Sequence, residues 1–134
     1  MQISNSSYDY IIIGAGAAGL HLALAFAESH DFASSRILII DPDEKKSNDR
    51  TWCFWEKGEG KWGPIVAKSW SKGFFMAPGK EIPLDLGSYQ YKMVRGLDFY
   101  NYARKVLSNH ENIHWIQDRV ECIHESDSAE VMCS

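Results

Sequence analysis

The sequence predicts an α/β fold built on a βαβ unit with a parallel sheet, continued by an antiparallel meander. Three observations predict it. An apolar run over residues 8–13 leads into glycines at 14, 16 and 19, then into an alanine- and leucine-rich stretch through Glu28. A second apolar run, Arg36-Ile37-Leu38-Ile39-Ile40, ends in Asp41. After Gly96 an amphipathic helix is followed by short strand-like segments, not by further strand–helix alternation.

Taken in order, residues 8–13 read as the first strand and 17–29 as the first helix. Ala17, Ala18 and Ala25 recur there with His21 at helical spacing, so the helix can lie flat on a sheet. The polar insertion 29–35 separates it from the second strand, 36–40. Pro42 to Arg50 is a charged loop, and Thr51-Trp52-Cys53-Phe54-Trp55 a short strand. Residues 56–63 read as a loop. Pro64 to Trp70 is ambiguous, with one or two helical turns an option. Phe74-Phe75-Met76 and Glu81-Ile82-Pro83-Leu84 flank Pro78-Gly79 as a hairpin, and Tyr89 to Val94 is a strand. Gly96 to Leu107 carries Leu97, Tyr100, Ala103, Arg104 and Leu107 on one stripe and stops near Ser108-Asn109. Ile113–Ile116, Val120–His124 and Glu130–Cys133 follow as strands, with turns at Asp118 and Ser126-Asp127-Ser128.

The strands 8–13 and 36–40 should form the parallel sheet, which the 113–117 strand joins or borders. The strands of 119–133 should form the meander on its other side. The organisation expected is a βαβ unit over 8–41, strands of a second sheet over about 70–94, a helix over 96–108 and the meander over 113–133. The chain closes on Glu130-Val131-Met132-Cys133-Ser134, inside a strand and without a cap or polar tail. Residues 1–134 therefore read as a truncated, N-terminal part of a longer protein.

The glycine spacing carries chemistry. Gly14 lets the chain leave the strand in a conformation a Cβ opposes. Gly16 lets a pyrophosphate approach the backbone, and Gly19 lets the helix pack close to the strand. Unpaired N–H groups around Ala17 and Ala18 point at the phosphates, and the helix dipole favours their charge. The candidate cradle is thus Gly14, Ala15, Gly16, Ala17, Ala18 and Gly19. Asp41, at the tip of the second strand, is the expected ribose partner, somewhat further on than the roughly 20 residues usual. An acid there fits the unphosphorylated ribose of FAD or NAD and disfavours NADP. The competing reading is a glycine turn in an unrelated βαβ unit, with Asp41 as a strand-end cap.

Composition bounds the rest. The 134 residues are 45% hydrophobic, enough for one compact core. A net charge of −4 argues against nucleic acid as a partner. No apolar run reaches the roughly 18 residues of a membrane span, and no secretory signal opens the chain. Cys53, Cys122 and Cys133 lack metal-ligand spacing and suggest a reduced, cytoplasmic protein. Asn5-Ser6-Ser7 is a glycosylation sequon, idle in that setting.

Two features need weighing. His110-Glu111-Asn112-Ile113-His114 matches HExxH, but a zinc site needs both histidines on one helical face. The helix should end before His110 and His114 should lie in a strand, so two surface histidines are expected and no metal ligands. Trp52, Trp55, Trp62 and Trp70 crowd into one stretch with Phe54, Phe74 and Phe75. Most should fill a core; an aromatic wall for a long apolar ligand, or a membrane-docking surface, are the functional readings.

Asn48-Asp49-Arg50-Thr51-Trp52-Cys53-Phe54-Trp55, just after Asp41, resembles the lycopene cyclase family. Pro64 to Trp70 and Tyr91-Lys92-Met93-Val94-Arg95-Gly96-Leu97-Asp98-Phe99 are similar to later stretches of that family, so the resemblance covers nearly the whole chain from Tyr8. It implies a Rossmann-like FAD-binding domain with the start of a substrate-domain sheet. It implies FAD in the reduced form, with NADPH as reductant, and cyclisation of the open ψ-ends of lycopene to β-rings without net redox change. Gly14, Gly16 and Gly19 would hold the pyrophosphate and Asp41 the adenosine ribose. Arg50 and Thr51 would lie near the cofactor, and the Val120 strand would pass the adenine. An ion pair with Asp43 or Asp49 is an equal alternative for Arg50. The family's catalytic acid lies beyond residue 134, so no catalytic residue is assigned and the chain alone should be inactive. The insoluble carotenoid substrate implies peripheral attachment to the inner face of a membrane.

Two rivals stay open. A redox flavoenzyme of the aromatic hydroxylase or geranylgeranyl reductase type shares the fingerprint but turns over with NADPH. A non-enzymatic flavin- or NAD-binding module is the other. A plain NAD dehydrogenase fits poorly with the meander after the second helix.

Overall fold

The computed structural model describes residues 6–125 and 127–134; Asn5 of the sequon and Ser126 of the last turn lie outside the described residues. In chain order the elements are β1 (Tyr10–Ile13), α1 (Ala17–Glu28), β2 (Ile37–Asp41), β3 (Thr51–Lys57), β4 (Val66–Trp70), β5 (Gly73–Ala77), β6 (Lys80–Leu84), β7 (Tyr89–Arg95), α2 (Gly96–Leu107), β8 (Ile113–Gln117), β9 (Val120–Glu125) and β10 (Ala129–Cys133). Short 3₁₀ turns occupy His30–Phe32 and Gly63–Ile65. The chain divides into two compact units: residues up to Lys45 together with Ala103–Ser134, and Lys46–Tyr102.

In the first unit β1, β2 and β8 form a parallel sheet in the order β1-β2-β8. Ile37 pairs with Tyr10 on one side and Ile113 on the other. β2 is buried at every position, as a parallel strand covered on both faces must be. The continuous Ile-Leu-Ile-Ile run follows from that, each buried side chain contributing about 1.5–3 kcal/mol. Leu20, Ala23 and Leu24 of α1 are buried with them. The expected 113–117 strand thus joins the sheet. The Asn112 side chain ties the loop after α1 to this strand by donating to the carbonyls of Phe32 and Ser35. β9 and β10 pair with each other as an antiparallel hairpin.

In the second unit β3 and β4 flank β7 antiparallel, and β5 and β6 form a separate hairpin. The Pro78-Gly79 turn has Gly79 at φ +71°, the left-handed position a proline-led type II turn requires. On one face of the β3–β7–β4 sheet Trp52 stands edge-on to Phe99 and Tyr100, and Trp62 edge-on to Phe99. Tyr100 donates its hydroxyl to Asp49 over 2.9 Å. Two expectations are corrected here, and the ambiguity over Pro64–Trp70 resolves into one 3₁₀ turn around Pro64 that leads into β4. β3 runs on through Glu56 and Lys57, which read as loop from their charge. The aromatic stretch, expected mostly to fill a core, does not: of Trp52, Phe54, Trp55, Trp62, Trp70, Phe74 and Phe75 none is buried, Trp55, Phe74 and Phe75 being exposed and the other four half-buried.

No helix among the described residues is long and apolar enough to cross a membrane; that says nothing of strands in a barrel.

Candidate dinucleotide site

The turn from β1 to α1 is built by its three glycines, each differently. Gly14 has φ +100°, which an L side chain rarely adopts. Its N–H continues the sheet ladder by donating to Ile40 O over 2.8 Å. Gly16 caps α1 with extended backbone, and a Cβ there would meet nothing within 4 Å. A Cβ on Gly19 would overlap the Gly14 carbonyl oxygen, so this glycine is what permits the close crossing of helix and strand.

The N-terminus of α1 carries no side-chain cap and no acid in its first turn. The first N–H groups, at Ala17 and Ala18, have no partner within the helix, since its first bond runs from Leu20 N to Gly16 O. Open space over Gly16, uncapped donors and the positive end of a helix dipole suit a diphosphate.

Asp41 closes the site from β2. It is 6% exposed, and its carboxylate accepts from the N–H of Ala15 over 2.7 Å and of Asp43 over 2.8 Å. Lys45 Nζ lies 3.4 Å from Oδ1. The sequence reading saw a ribose partner and missed this strap between the acid and the glycine loop. A carboxylate has about four lone-pair sites. Two N–H groups and one ammonium leave room for a hydroxyl, so a ribose still fits.

The remaining expected residues lie elsewhere in the chain. Val120 opens β9, opposite Cys133, and is half-buried. Arg50 and Thr51 belong to the second unit. Thr51 pairs with Arg95; Arg50 is exposed and stands 3.8 Å from Asp49, the ion pair that was the alternative for it. Its carbonyl accepts from Gly96 N over 2.7 Å. His110 follows α2 and His114 lies in β8, as expected. The ring nitrogens of His114 contact the Tyr8 hydroxyl at 2.9 Å and Glu111 O at 3.2 Å.

A cavity of about 860 Å³ in the first unit is lined by Tyr8, Ile11, Leu38, Ile40, Ile116 and Val131, among others, but by none of the glycine-loop residues. Cys133 also lines it. Burial, and then the Asp118 carboxylate, push that thiol above its usual pKa, so it is protonated and a poor nucleophile at neutral pH.

Sequence reasoning missed Lys92. It is 3% exposed in the second unit and donates to Glu56 Oε2 over 2.9 Å, to Glu59 O over 2.9 Å and to Gly58 O. All three ammonium protons are used to fold the glycine-rich 58–60 turn back onto the sheet. The available signal was a lysine at an inward position of an alternating strand, between Gln90 and Val94. Lys92→Met should destabilise the protein by about 2–3 kcal/mol, because two carbonyls and a carboxylate lose their donor. Urea unfolding would show it; an unchanged midpoint would mean the turn holds itself.

A family model described as "Lycopene cyclase protein" matches residues 9–134. No curated protein sequence matches the chain. Among solved structures, the halogenase PltM superposes with a TM-score of 0.69 at 16% identity, over 96% of this chain and 32% of its own. The flavin-dependent brominase Bmp2 gives 0.64 at 13%, over 96% and 36%. PqsL of Pseudomonas aeruginosa, a probable FAD-dependent monooxygenase by its description, gives 0.60 at 10%, over 92% and 36%. The chain therefore spans about a third of the length of these proteins, and at such identity the likeness is one of fold.

Proposed function

The chain belongs to the lycopene cyclase family, and from that premise we propose that it is the FAD-binding N-terminal part of a cyclase acting on the ψ-ends of lycopene. The observation that carries the reading is the family match from Asp9 onward, which takes in both the glycine turn and the Asn48–Trp55 segment. Two further observations support the cofactor: the cradle fits a dinucleotide, and PltM has been solved in complex with phloroglucinol and FAD.

In this proposal Gly16 lets the pyrophosphate rest on backbone, and the N–H groups of Ala17 and Ala18 donate to it. Gly14, Ala15 and Gly19 hold the turn in shape. Asp41 accepts from the adenosine ribose with a free lone pair while keeping its grip on Ala15. Arg50, Thr51 and the backbone of Val120 complete the cofactor contacts. The reduced flavin, with NADPH as reductant, supplies electrostatic support to a cationic reaction when bound. Cyclisation adds one proton to a terminal double bond and loses one from the closed ring, so the redox balance is zero. The acid that gives the proton is assigned to no residue of this chain. The substrate is a carotenoid, and the enzyme works peripherally at the inner face of a membrane.

Lycopene-accumulating bacterial cells given the full-length gene should shift to a pigment with β-rings, seen by chromatography and absorption. The second reading, a redox flavoenzyme, is favoured by the halogenase and monooxygenase likeness of the fold. Unchanged lycopene together with substrate-stimulated NADPH oxidation would establish it instead.

A further inference from the structure

The loop that leaves β2 reads Pro42-Asp43-Glu44-Lys45, charges that suggest a chain lying in water. It is instead folded back on the residue before it. Asp41 Oδ1 accepts from Asp43 N over 2.8 Å, and Asp43 Oδ1 accepts from Lys45 N over 2.7 Å. Two such side-chain turns in succession reverse the chain. They bring Lys45 to φ +53°, and among the described residues it is the one non-glycine with a left-handed backbone. Its side chain runs inward, 11% exposed, and puts Nζ 3.4 Å from Asp41 Oδ1.

The loop is also fastened from outside. Gln117 Nε2 donates to Pro42 O over 3.2 Å, Asp118 N to Asp41 O over 3.1 Å and Arg104 Nη2 to Glu44 O over 2.9 Å. Arg104 in turn lies over the Trp115 ring at 4.7 Å. A lysine ordinarily keeps its ammonium in water and its rotamers free. Here a disfavoured backbone and a confined side chain are both maintained, and what they deliver is one ammonium on one carboxylate.

We propose that Lys45 is a positioning residue for the adenosine ribose of the dinucleotide, holding Asp41 so that Oδ2 is the oxygen a ribose hydroxyl meets. Oδ1 is taken by Asp43 N and by the ammonium. Oδ2 accepts from Ala15 N over 2.7 Å, which leaves its second lone pair for the hydroxyl. With the ammonium gone, Oδ1 would have a lone pair open too, and a buried charge would draw water into the place of the ribose. With it present, the acceptor is set before the ligand arrives. The inference rests on the FAD reading above, and its test separates the two.

The full-length protein, freed of flavin, is titrated with FAD and with an FAD whose adenosine lacks both ribose hydroxyls. The unsubstituted protein should bind FAD about tenfold more tightly, as one hydrogen bond to a carboxylate provides. Lys45→Gly accepts the left-handed backbone and removes the ammonium. It should bind FAD about tenfold more weakly and the dideoxy form as before, so that the preference vanishes. Lys45→Met, which keeps the length of the side chain without its charge, should lose the preference as well, and Lys45→Arg should recover most of it. Circular dichroism checks that each variant is folded. Glycine and methionine variants that keep the preference, or that weaken both dinucleotides equally, overturn the role of Lys45 and leave Asp41 and FAD standing. Equal binding of the two dinucleotides by the unsubstituted protein, or no binding of FAD, removes Asp41 from the ribose and overturns the inference with it.

Discussion

Gly19→Ala should lower stability by about 3 kcal/mol or more, whereas Gly16→Ala should change it by less than about 0.5 kcal/mol and still abolish flavin binding. The contrast follows from what each new methyl group meets. At Gly19 it overlaps a backbone carbonyl, that of Gly14, which no rotamer change can move aside. The helix must lift off the strand, and the buried Leu20, Ala23 and Leu24 lift with it. At Gly16 the methyl group enters empty space, the space a pyrophosphate is proposed to fill. Urea unfolding reads the first effect. Flavin fluorescence retained by the full-length protein, and its ring-forming activity, read the second. Two variants equally unstable would mean that Gly16 is a folding residue and would remove the main support for the cradle.

Asp41→Ala should lower stability by about 2–4 kcal/mol, before any ligand is considered. The carboxylate is buried and two backbone N–H groups depend on it, those of Ala15 and Asp43. Alanine leaves both without an acceptor. Asp41→Asn keeps one amide oxygen but turns an NH₂ toward the other donor, so roughly half the loss should remain. If asparagine restored full stability yet flavin still failed to bind, the acid would serve the ribose alone. Thermal unfolding of the three proteins without cofactor reads their stabilities, and flavin fluorescence retained by the full-length proteins reads binding.

How legible this was depends on the range of the interactions. β1, α1 and β2 can be read because period, glycine spacing and apolar runs all lie within a short stretch and agree with one another. α2 reads from its stripe alone. β4 does not: its alternation breaks at a register shift between Val66 and Lys68, and proline stands just before it. Its strand character comes from pairing with Tyr91–Val94, far along the chain. The charge of Glu56 and Lys57 suggests loop, but β7 opposite them holds them extended. In the site, the glycines and Asp41 can be read from sequence, while the bond from Ala15 N to the Asp41 carboxylate cannot. The same holds for Lys92, whose partners are carbonyls of a turn that forms only when the sheet is in place. Backbone acceptors leave no mark on side-chain patterns.

The second unit is one unbroken stretch of chain, Lys46–Tyr102, and the first is made from what lies on either side of it. That division sets an order of events during synthesis. The inner stretch can close on contacts that are all present once Tyr102 has left the ribosome. The parallel sheet cannot, because β2 waits for β8 and Ile37 for Ile113. Until then β2, buried at every position once the three strands are together, stays without one neighbour. The slow step of folding should therefore be this late, long-range strand pairing. Nascent chains stalled before Ile113 should present the Ile37–Ile40 run to chaperones, and those stalled well after Gln117 should release it.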